Sequence, residues 1–440
     1  MSKNALPATL SVYGPDGQIG TLYPGDPLSF SYSQAWLERP EPTPLHPDIP
    51  LVPERSDSIF VNAFFENLLP EGDQRKLISM REQVTTVFAL LAKVGGESAG
   101  SIVLLPEGEL PQAPIYQPLT WQQVDALVHH DERQAKEIEE IERAAAGMPK
   151  PRMSLSGAQH KLLLYITSDG IPHRPMGSSP STHILKPDIV RTDIRVFASA
   201  ANETIMMRLA AKCGLPVAHA TYEPVTRACL VTRYDRELLD NGELRRIWQA
   251  DFCQLLGKRS DVKYEHDGGP GFKECFDLLG KSTQPAADRH HLLRWLFFNL
   301  YTGNNDSHAK NLSMIASGRG IRLAPFYDLM CTRVYSGLGS DFAFSIAGES
   351  NPGELQSKHF VTLAKILGVK PGYLQKVATE ICVQILAALP AAAEEVLPAL
   401  SVNEQVLVKR ITDKVNSLTK KIHARITAVG SGSHTNVPQD

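Results

Sequence analysis

The chain has little that would tie it to an oxidising compartment, a membrane or, unaided, to nucleic acid. Its six cysteines in 440 residues (Cys213, Cys229, Cys253, Cys275, Cys331 and Cys382) are scattered, with no Cys-x-x-Cys pair and no dense secreted-type framework. That argues against a zinc site of the usual spacing and predicts buried thiols in a reducing cytoplasm. Met1–Leu10 has no charged start followed by an apolar core, and no run approaches the roughly 20 apolar residues of a membrane helix. A soluble, unexported protein without membrane contact is expected. The net charge of -3 offers no basic footprint, so any contact with DNA is expected to be shared with a partner. No internal repeat is visible. What is present is 42% hydrophobic residues over a length that suits two or three compact units.

Chemistry concentrates in Asn304-Asn305-Asp306-Ser307-His308-Ala309-Lys310-Asn311, followed by Phe326-Tyr327-Asp328, with Asp328 17 residues beyond Asn311. A carboxylate, an amide five residues later and a second carboxylate after a short strand-like connection repeat an order found in phosphoryl-transfer sites: base, metal amide, metal carboxylate. Moving a γ-phosphoryl group needs a residue that orients the attacking hydroxyl, and magnesium, held by oxygen ligands, to neutralise phosphate charge. Asp306 is the candidate base, Asn311 and Asp328 the candidate metal ligands. His308 either contacts a phosphate or packs the loop. An Asp-x4-Asn by itself is equally a polar turn after a helix.

Upstream, Thr9 to Tyr32 alternates between turn signals and predicts short antiparallel strands. Helical periodicity spans Ser56 to Arg81 and Val84 to Val94, Ser101 to Leu105 reads as a strand, and Glu107 to Pro118 as a linker. Asp125 to Ala146 reads as one charged, solvated helix. Ser154-Leu155-Ser156-Gly157-Ala158 precedes the apolar strand Leu162 to Ile166; small residues there let backbone N–H groups approach a phosphate, although a plain turn has the same composition. Lys186 ends a strand and Glu203 follows about 17 residues later at the head of a helical run, the kinase order of phosphate lysine and positioning glutamate. Glu203 also suits the first turn of a helix for dipole reasons. Cys229 to Tyr234 is a strand, and Thr232-Arg233-Tyr234 suits a hinge whose backbone meets an adenine. Beyond it, Trp248 to Leu256, Phe272 to Leu279 and Asp288 to Tyr301 read as helices, the last central to the second lobe and delivering the catalytic loop. Cys331 to Ile346, with its small residues, reads as a mobile substrate-facing segment. His359 to Val429 reads as helices broken at Gly368, Pro371, Pro390 and Pro398.

Several strings carry a resemblance that no generic fold requirement explains. They are Phe64-Phe65-Glu66-Asn67-Leu68-Leu69-Pro70, Ser156 to Gln159, Gln249-Ala250-Asp251-Phe252-Cys253-Gln254, and Val262-Lys263-Tyr264-Glu265-His266-Asp267-Gly268-Gly269-Pro270-Gly271. With Asp306 to Asn311 they make the chain resemble, over nearly its full length, the HipA family of serine/threonine-kinase toxins of bacterial toxin–antitoxin pairs.

The resemblance implies an α+β, two-lobed kinase-like fold: an extra N-terminal subdomain (1–110), an ATP-binding part of the N-terminal lobe (119–236), an all-α catalytic lobe (237–429) and a disordered tail (430–440). It implies ATP and Mg2+, with Ser154, Leu155, Ser156, Gly157, Ala158, Lys186, Thr232, Tyr234 and His308 around the nucleotide, Asp306 as base, and Asn311 and Asp328 on the metal. Ser154 matches a serine whose autophosphorylation expels the loop and switches the enzyme off. Thr232 departs from the family, which often has an acidic residue two before the hinge aromatic. A HipB-like helix-turn-helix antitoxin, operator DNA reached mainly through it, and an aminoacyl-tRNA synthetase substrate, glutamate-tRNA ligase by analogy, are the implied partners; growth arrest or persistence is the implied outcome. The competing reading is a catalytically vestigial co-repressor, and a small-molecule phosphotransferase shares the same trio.

Overall fold

The computed structural model describes residues 6–129, 134–157, 159–191 and 193–428. Ala158 and the tail 430–440 lie outside them. The expected N-terminal strands form an antiparallel sheet of Leu10–Gly14, Gly17–Tyr23, Ser29–Tyr32 and the later Val103–Pro106. Alternation turns Leu10, Val12, Leu22 and Phe30 inward, where they are buried with Val61, Phe64 and Phe65. The periodic run 56–81 is two helices, Ile59–Glu66 and Gly72–Glu82. They separate because Asn67 ends the first, its amide nitrogen donating to the carbonyls of Ala63 and Lys258 at 2.8 Å each, before Pro70 interrupts.

A second antiparallel sheet runs Ile115–Pro118, Pro172–Met176, Leu162–Ile166, His183–Lys186, Ala228–Thr232, Ala220–Glu223. Part of the expected linker is therefore its edge strand. The charged segment is two helices, Trp121–His129 and Ala135–Ala144, and it is not wholly solvated: Val124, Leu127 and Ile141 form a small core with Leu164 and Leu185.

The second lobe is mainly helical but not helical throughout. Gln249–Asp251 pairs with Ser313–Ser317, which pairs with Gly320–Leu323, so residues 248–256 are a strand followed by the short helix Phe252–Leu255. The Asp251–Gln254 capping box starts that helix. Ser313–Ser317 takes up the chain just after Asn311, so this sheet holds the downstream end of the 304–311 loop. Pro285–Thr302 is the expected central helix, with Leu292, Trp295 and Leu296 buried; Gly303, at φ 72°, ends it in the left-handed region. Pro390 does not break Pro371–Val396: it lies on an exposed face, where a carbonyl deprived of its N–H can turn to water. Contrary to expectation, 371–399 is long and apolar enough to cross a membrane by length and composition. Its Leu374, Val377, Ile381 and Ile385 are buried where the helix packs against Ser199–Lys212, Pro285–Thr302 and Val402–Thr427. All six cysteines are unpaired and buried.

The subdomains are joined by an ion cluster around Glu97, which is fully buried. Its Oε1 accepts from Arg233 at 3.0 Å, Arg236 at 2.9 Å and both N–H and Oγ of Ser181 at 2.9 Å; Oε2 accepts from Arg246 at 2.7 Å. Burial pushes this carboxyl up, but the three guanidinium groups outweigh it and hold the group far below the usual carboxylate range. A depressed carboxylate stabilises above its unfolded value near 4.5 and loses that contribution only as pH falls through the lower folded value. Glu97→Gln, which leaves Arg233 and Arg236 facing Asp235 alone and Arg246 without a carboxylate, is expected to cost about 3–5 kcal/mol in urea unfolding at neutral pH, with the difference from wild type narrowing in strong acid.

Candidate active site

A cleft of about 1280 Å³ lies between the six-stranded sheet and the helical lobe, and its walls include Lys186, Tyr234, Asp306, Asn311 and Asp328. Residues 186 and 328, far apart in sequence, meet directly. The Lys186 Nζ donates to Glu203 Oε1 at 2.6 Å and to Asp328 Oδ1 at 2.9 Å. Burial disfavours the ammonium, but Asp328 and Glu203 more than offset it and raise its pKa. Glu203 is completely buried; desolvation pushes it up while Lys186 opposes, and its Oε2 has no hydrogen-bond partner among the described residues. Burial would also raise Asp328, but Lys186, with Lys161, holds it down at about 2. Asp328 adopts φ 60°, a left-handed conformation rare outside glycine, as strained site residues do.

Asp306 opens to the cleft yet is walled by protein, and desolvation raises its carboxyl. Its Oδ1 accepts from the Tyr264 hydroxyl at 2.5 Å, and its backbone carbonyl accepts from Asn311 Nδ2 at 3.1 Å. Asn305 ties the loop to the 331–346 segment by donating to the carbonyls of Gly339 and Ser340 at 3.2 and 2.7 Å. His308 is buried, edge-on to Tyr264, with Nδ1 unpartnered among the described residues; burial lowers its pKa well below 6.5, so it stays neutral.

Leu155, Ser156 and Gly157 line the cleft, whereas Ser154 turns away from it. Ser154 is 2% exposed; its Oγ donates to the Leu68 carbonyl at 2.8 Å and its N–H to the Glu97 carbonyl at 2.7 Å. Gly157 has φ 109°, and a Cβ there would stand 2.7 Å from Lys161 Nζ, so the loop needs glycine at this point. Thr232 and Tyr234 also line the cleft, with Tyr234 6.0 Å from the Tyr327 ring. The Thr232 and Arg233 amides are committed to the His219 and Thr182 carbonyls.

Sequence reasoning assigned no role to a set of lysines and acids in the same cleft. Lys310 Nζ donates to Asp251 Oδ2 at 2.8 Å and Asn67 Oδ1 at 2.5 Å, locking the 304–311 loop to the N-terminal subdomain. Lys263 donates to Glu71 Oε2 at 2.8 Å. All but Glu71, which follows Pro70 directly, lie in strings already distinctive in the sequence; only the pairing was hidden. Lys161, whose Nζ donates to the Ser156 carbonyl, is lowered to about 8 from 10.5, by burial first and then by Lys186. A lysine depressed on folding destabilises while protonated, and that penalty fades as pH rises from its folded to its unfolded value. Lys161→Met is therefore expected to stabilise the chain in urea unfolding at pH 7, the gain shrinking above about pH 8 and vanishing near 10.5; a pH-independent gain would assign it to packing instead.

A family model described as HipA-like C-terminal domain matches residues 153–392, and one described as HipA N-terminal domain matches 10–105. The chain is 36% identical over 364 residues to a putative kinase, Y4mE, of Sinorhizobium fredii, covering 80% of this chain and 83% of that one. It is 30% identical over 423 residues to the serine/threonine-protein kinase toxin HipA of Shewanella oneidensis, covering 91% and 92%. The solved complex of Shewanella oneidensis HipA, HipB and operator DNA contains a chain that superposes with a TM-score of 0.79 at 26% identity, over 96% of this chain and 100% of that one. With both domains in order and a kinase-like α+β fold, the chain belongs to the HipA family of serine/threonine-protein kinases.

Proposed function

We propose that the chain moves the γ-phosphoryl group of ATP to a serine or threonine hydroxyl of a protein, with Asp306 as base and Mg2+ on Asn311 and Asp328. The observation that carries this reading is Lys186, clamped between Glu203 and Asp328 in the cleft that also holds Asp306. The donor set fits a hard cation. Asn311 spends its amide nitrogen on the Asp306 carbonyl, leaving an oxygen for a metal, and Asp328 stays ionised. Among the described residues no cluster of three or more His, Cys, Asp or Glu side chains could hold a metal, which suits magnesium, completed by substrate phosphates and water rather than by a protein cage. When bound, the metal neutralises charge on the phosphate oxygens.

The chain's own residues do the rest. Asp306 orients the acceptor hydroxyl and takes its proton, and Lys186, held charged, meets the phosphates. Leu155, Ser156 and Gly157 close over them, Thr232 and Tyr234 flank the adenine, and His308, neutral, packs the catalytic loop. The nucleotide thus sits between the 119–236 part and the 237–429 lobe. Ser154 is the autophosphorylation site of this reading, and the modification acts by undocking: a phosphate carrying about two charges cannot keep the buried contact with Leu68 and would repel a triphosphate beside it. The regulatory partner is a HipB-like helix-turn-helix antitoxin, with operator DNA reached mainly through that complex; the protein substrate is an aminoacyl-tRNA synthetase, glutamate-tRNA ligase by family analogy. Phosphorylating it in the cytoplasm arrests growth and yields persistence. The intact trio Asp306, Asn311 and Asp328 favours catalysis over a vestigial co-repressor.

Incubation with ATP and magnesium should add one phosphate to the chain by intact mass, at Ser154 by peptide mapping. Asp306→Asn should slow this at least about a hundredfold; a parent that gains no phosphate yet binds the antitoxin returns the chain to the co-repressor reading. Ser154→Asp should speed deuterium uptake across residues 153–157 without changing uptake in the central helix 285–302, and unchanged protection of the loop would count against undocking.

A further inference from the structure

The string Lys263-Tyr264-Glu265, closed by Gly268-Gly269-Pro270-Gly271, has no role in the mechanism above, yet it reaches the centre of the site. Its three consecutive side chains hold three different elements. Lys263 pairs with Glu71 at 2.8 Å, beside the Ser156–Gly157 loop. Tyr264 donates to Asp306 Oδ1 at 2.5 Å. Glu265 Oε2 accepts from the Ser345 N–H at 2.7 Å, in the 331–346 segment. The glycines explain themselves in the same geometry. The Asp267 and Gly269 amides both donate to the Tyr264 carbonyl, and a Cβ on Gly269 would stand 2.2 Å from the Val262 carbonyl oxygen, so no other residue closes the turn so tightly.

The Tyr264 ring is seated between His308, 5.0 Å away and edge-on, and His266, stacked at 5.3 Å. Its phenol stays protonated, since burial and the Asp306 charge both raise its pKa, so it is the donor to the carboxylate. A general base must lie within hydrogen-bond reach of the hydroxyl it activates, about 2.6–3.2 Å. In the chain alone, a hydroxyl already stands within that reach, at 2.5 Å, and it belongs to the protein.

We propose that Tyr264 is an acceptor-site gate: its hydroxyl occupies on Asp306 the place of the incoming serine or threonine hydroxyl, and hands that place over when a protein acceptor docks against the Lys263–Glu265 strap. The inference rests on the kinase reading. No covalent bond to Tyr264 forms or breaks. In the transfer itself the acceptor O–H gives its proton to Asp306, the acceptor oxygen bonds to the γ-phosphorus, and the bond from that phosphorus to ADP breaks; Tyr264 first withdraws its hydrogen bond. Two effects follow. The gate keeps water from the base, limiting ATP loss in the absence of an acceptor, and it makes acceptor binding compete with an internal hydrogen bond.

Tyr264→Phe keeps the ring and its stacking while removing the competing donor. With ATP, Mg2+ and dephosphorylated casein as a generic serine/threonine acceptor, the variant should show a KM for casein lower by roughly threefold to tenfold, the effect of one net hydrogen bond, at an unchanged kcat. ADP release without casein should rise. Glu265→Gln, which retains the hydroxyl but weakens its anchor, should shift both in the same direction by less. Unchanged ATP affinity and thermal melting verify that each variant is folded. A fall in kcat at constant KM would make Tyr264 a fixed orienter of Asp306 and overturn the gate, as would wild-type kinetics throughout. Absence of ATP turnover in wild type would instead bring down the kinase reading, and the gate with it.

Discussion

The architecture depends on one buried carboxylate. Glu97 draws together parts of the chain that sequence keeps far apart: Arg233, Arg236 and Arg246 from the segment after the strand Ala228–Thr232, and Ser181 just before the strand that carries Lys186. Its backbone does as much as its side chain, because its N–H binds the Arg152 carbonyl and its carbonyl binds the Ser154 N–H. One residue therefore sets the mutual placement of the 233–246 segment, the strand that carries Lys186 and the Ser154 loop. Replacing a buried ion pair wholesale by apolar groups is often neutral, whereas removing one partner is severe. Glu97 is better understood as fixing geometry than as adding net stability: the desolvation that three arginines and two acids incur is offset by their mutual attraction, and what remains is a joint with one arrangement.

The cleft obeys a related charge logic. Lys186 faces two carboxylates, Glu203 and Asp328, and Lys310 faces Asp251 with Asn67; both lysines are held charged despite burial. Lys161 differs, since its hydrogen bond goes to a neutral carbonyl and burial lowers it to about 8. A dense polyanion arriving beside it would supply the opposite charge it lacks and raise its pKa again, so nucleotide binding and the relief of a destabilised lysine are favourable together. The unpartnered Oε2 of Glu203 and the left-handed Asp328 belong to the same pattern of local cost retained at a functional site.

Much of this was legible from sequence where function imposes short spacing. Asp306, Asn311 and Asp328 lie on one loop and the strand pair after it, so their order predicted their convergence. The Lys186–Glu203 pair followed from order along the chain, with a strand end and a helix head as its markers. What was not legible was contact across distance. Nothing near Ser154 indicates that its hydroxyl would be spent on Leu68, or that its side chain would turn from the cleft that its neighbours line. The periodicity of 56–81 ran through a real break, because Asn67 supplies its own cap by reaching Lys258, 191 residues away. The strand at 249–251 was missed because three residues paired to a distant partner leave no local period, and the adjoining capped helix dominated the pattern.

That break between helices is where the two halves of the site are tied together. Within five residues, Asn67 Oδ1 accepts from Lys310 of the catalytic loop, the Leu68 carbonyl accepts from Ser154, and Glu71 accepts from Lys263 while its N–H binds the Gly157 carbonyl. The turn thus touches the phosphate-side loop, the catalytic loop and the strap carrying Tyr264 at once. A change at any of these segments must be accommodated by a turn that the other two also hold. If the Ser154 loop leaves, Leu68 loses its donor and Glu71 its Gly157 contact, and the anchor of Lys263 is loosened with them. Coupling of this kind needs no long pathway: it follows from three hydrogen-bonded segments sharing five residues of backbone, whose buried polar groups cannot lose a partner without finding another.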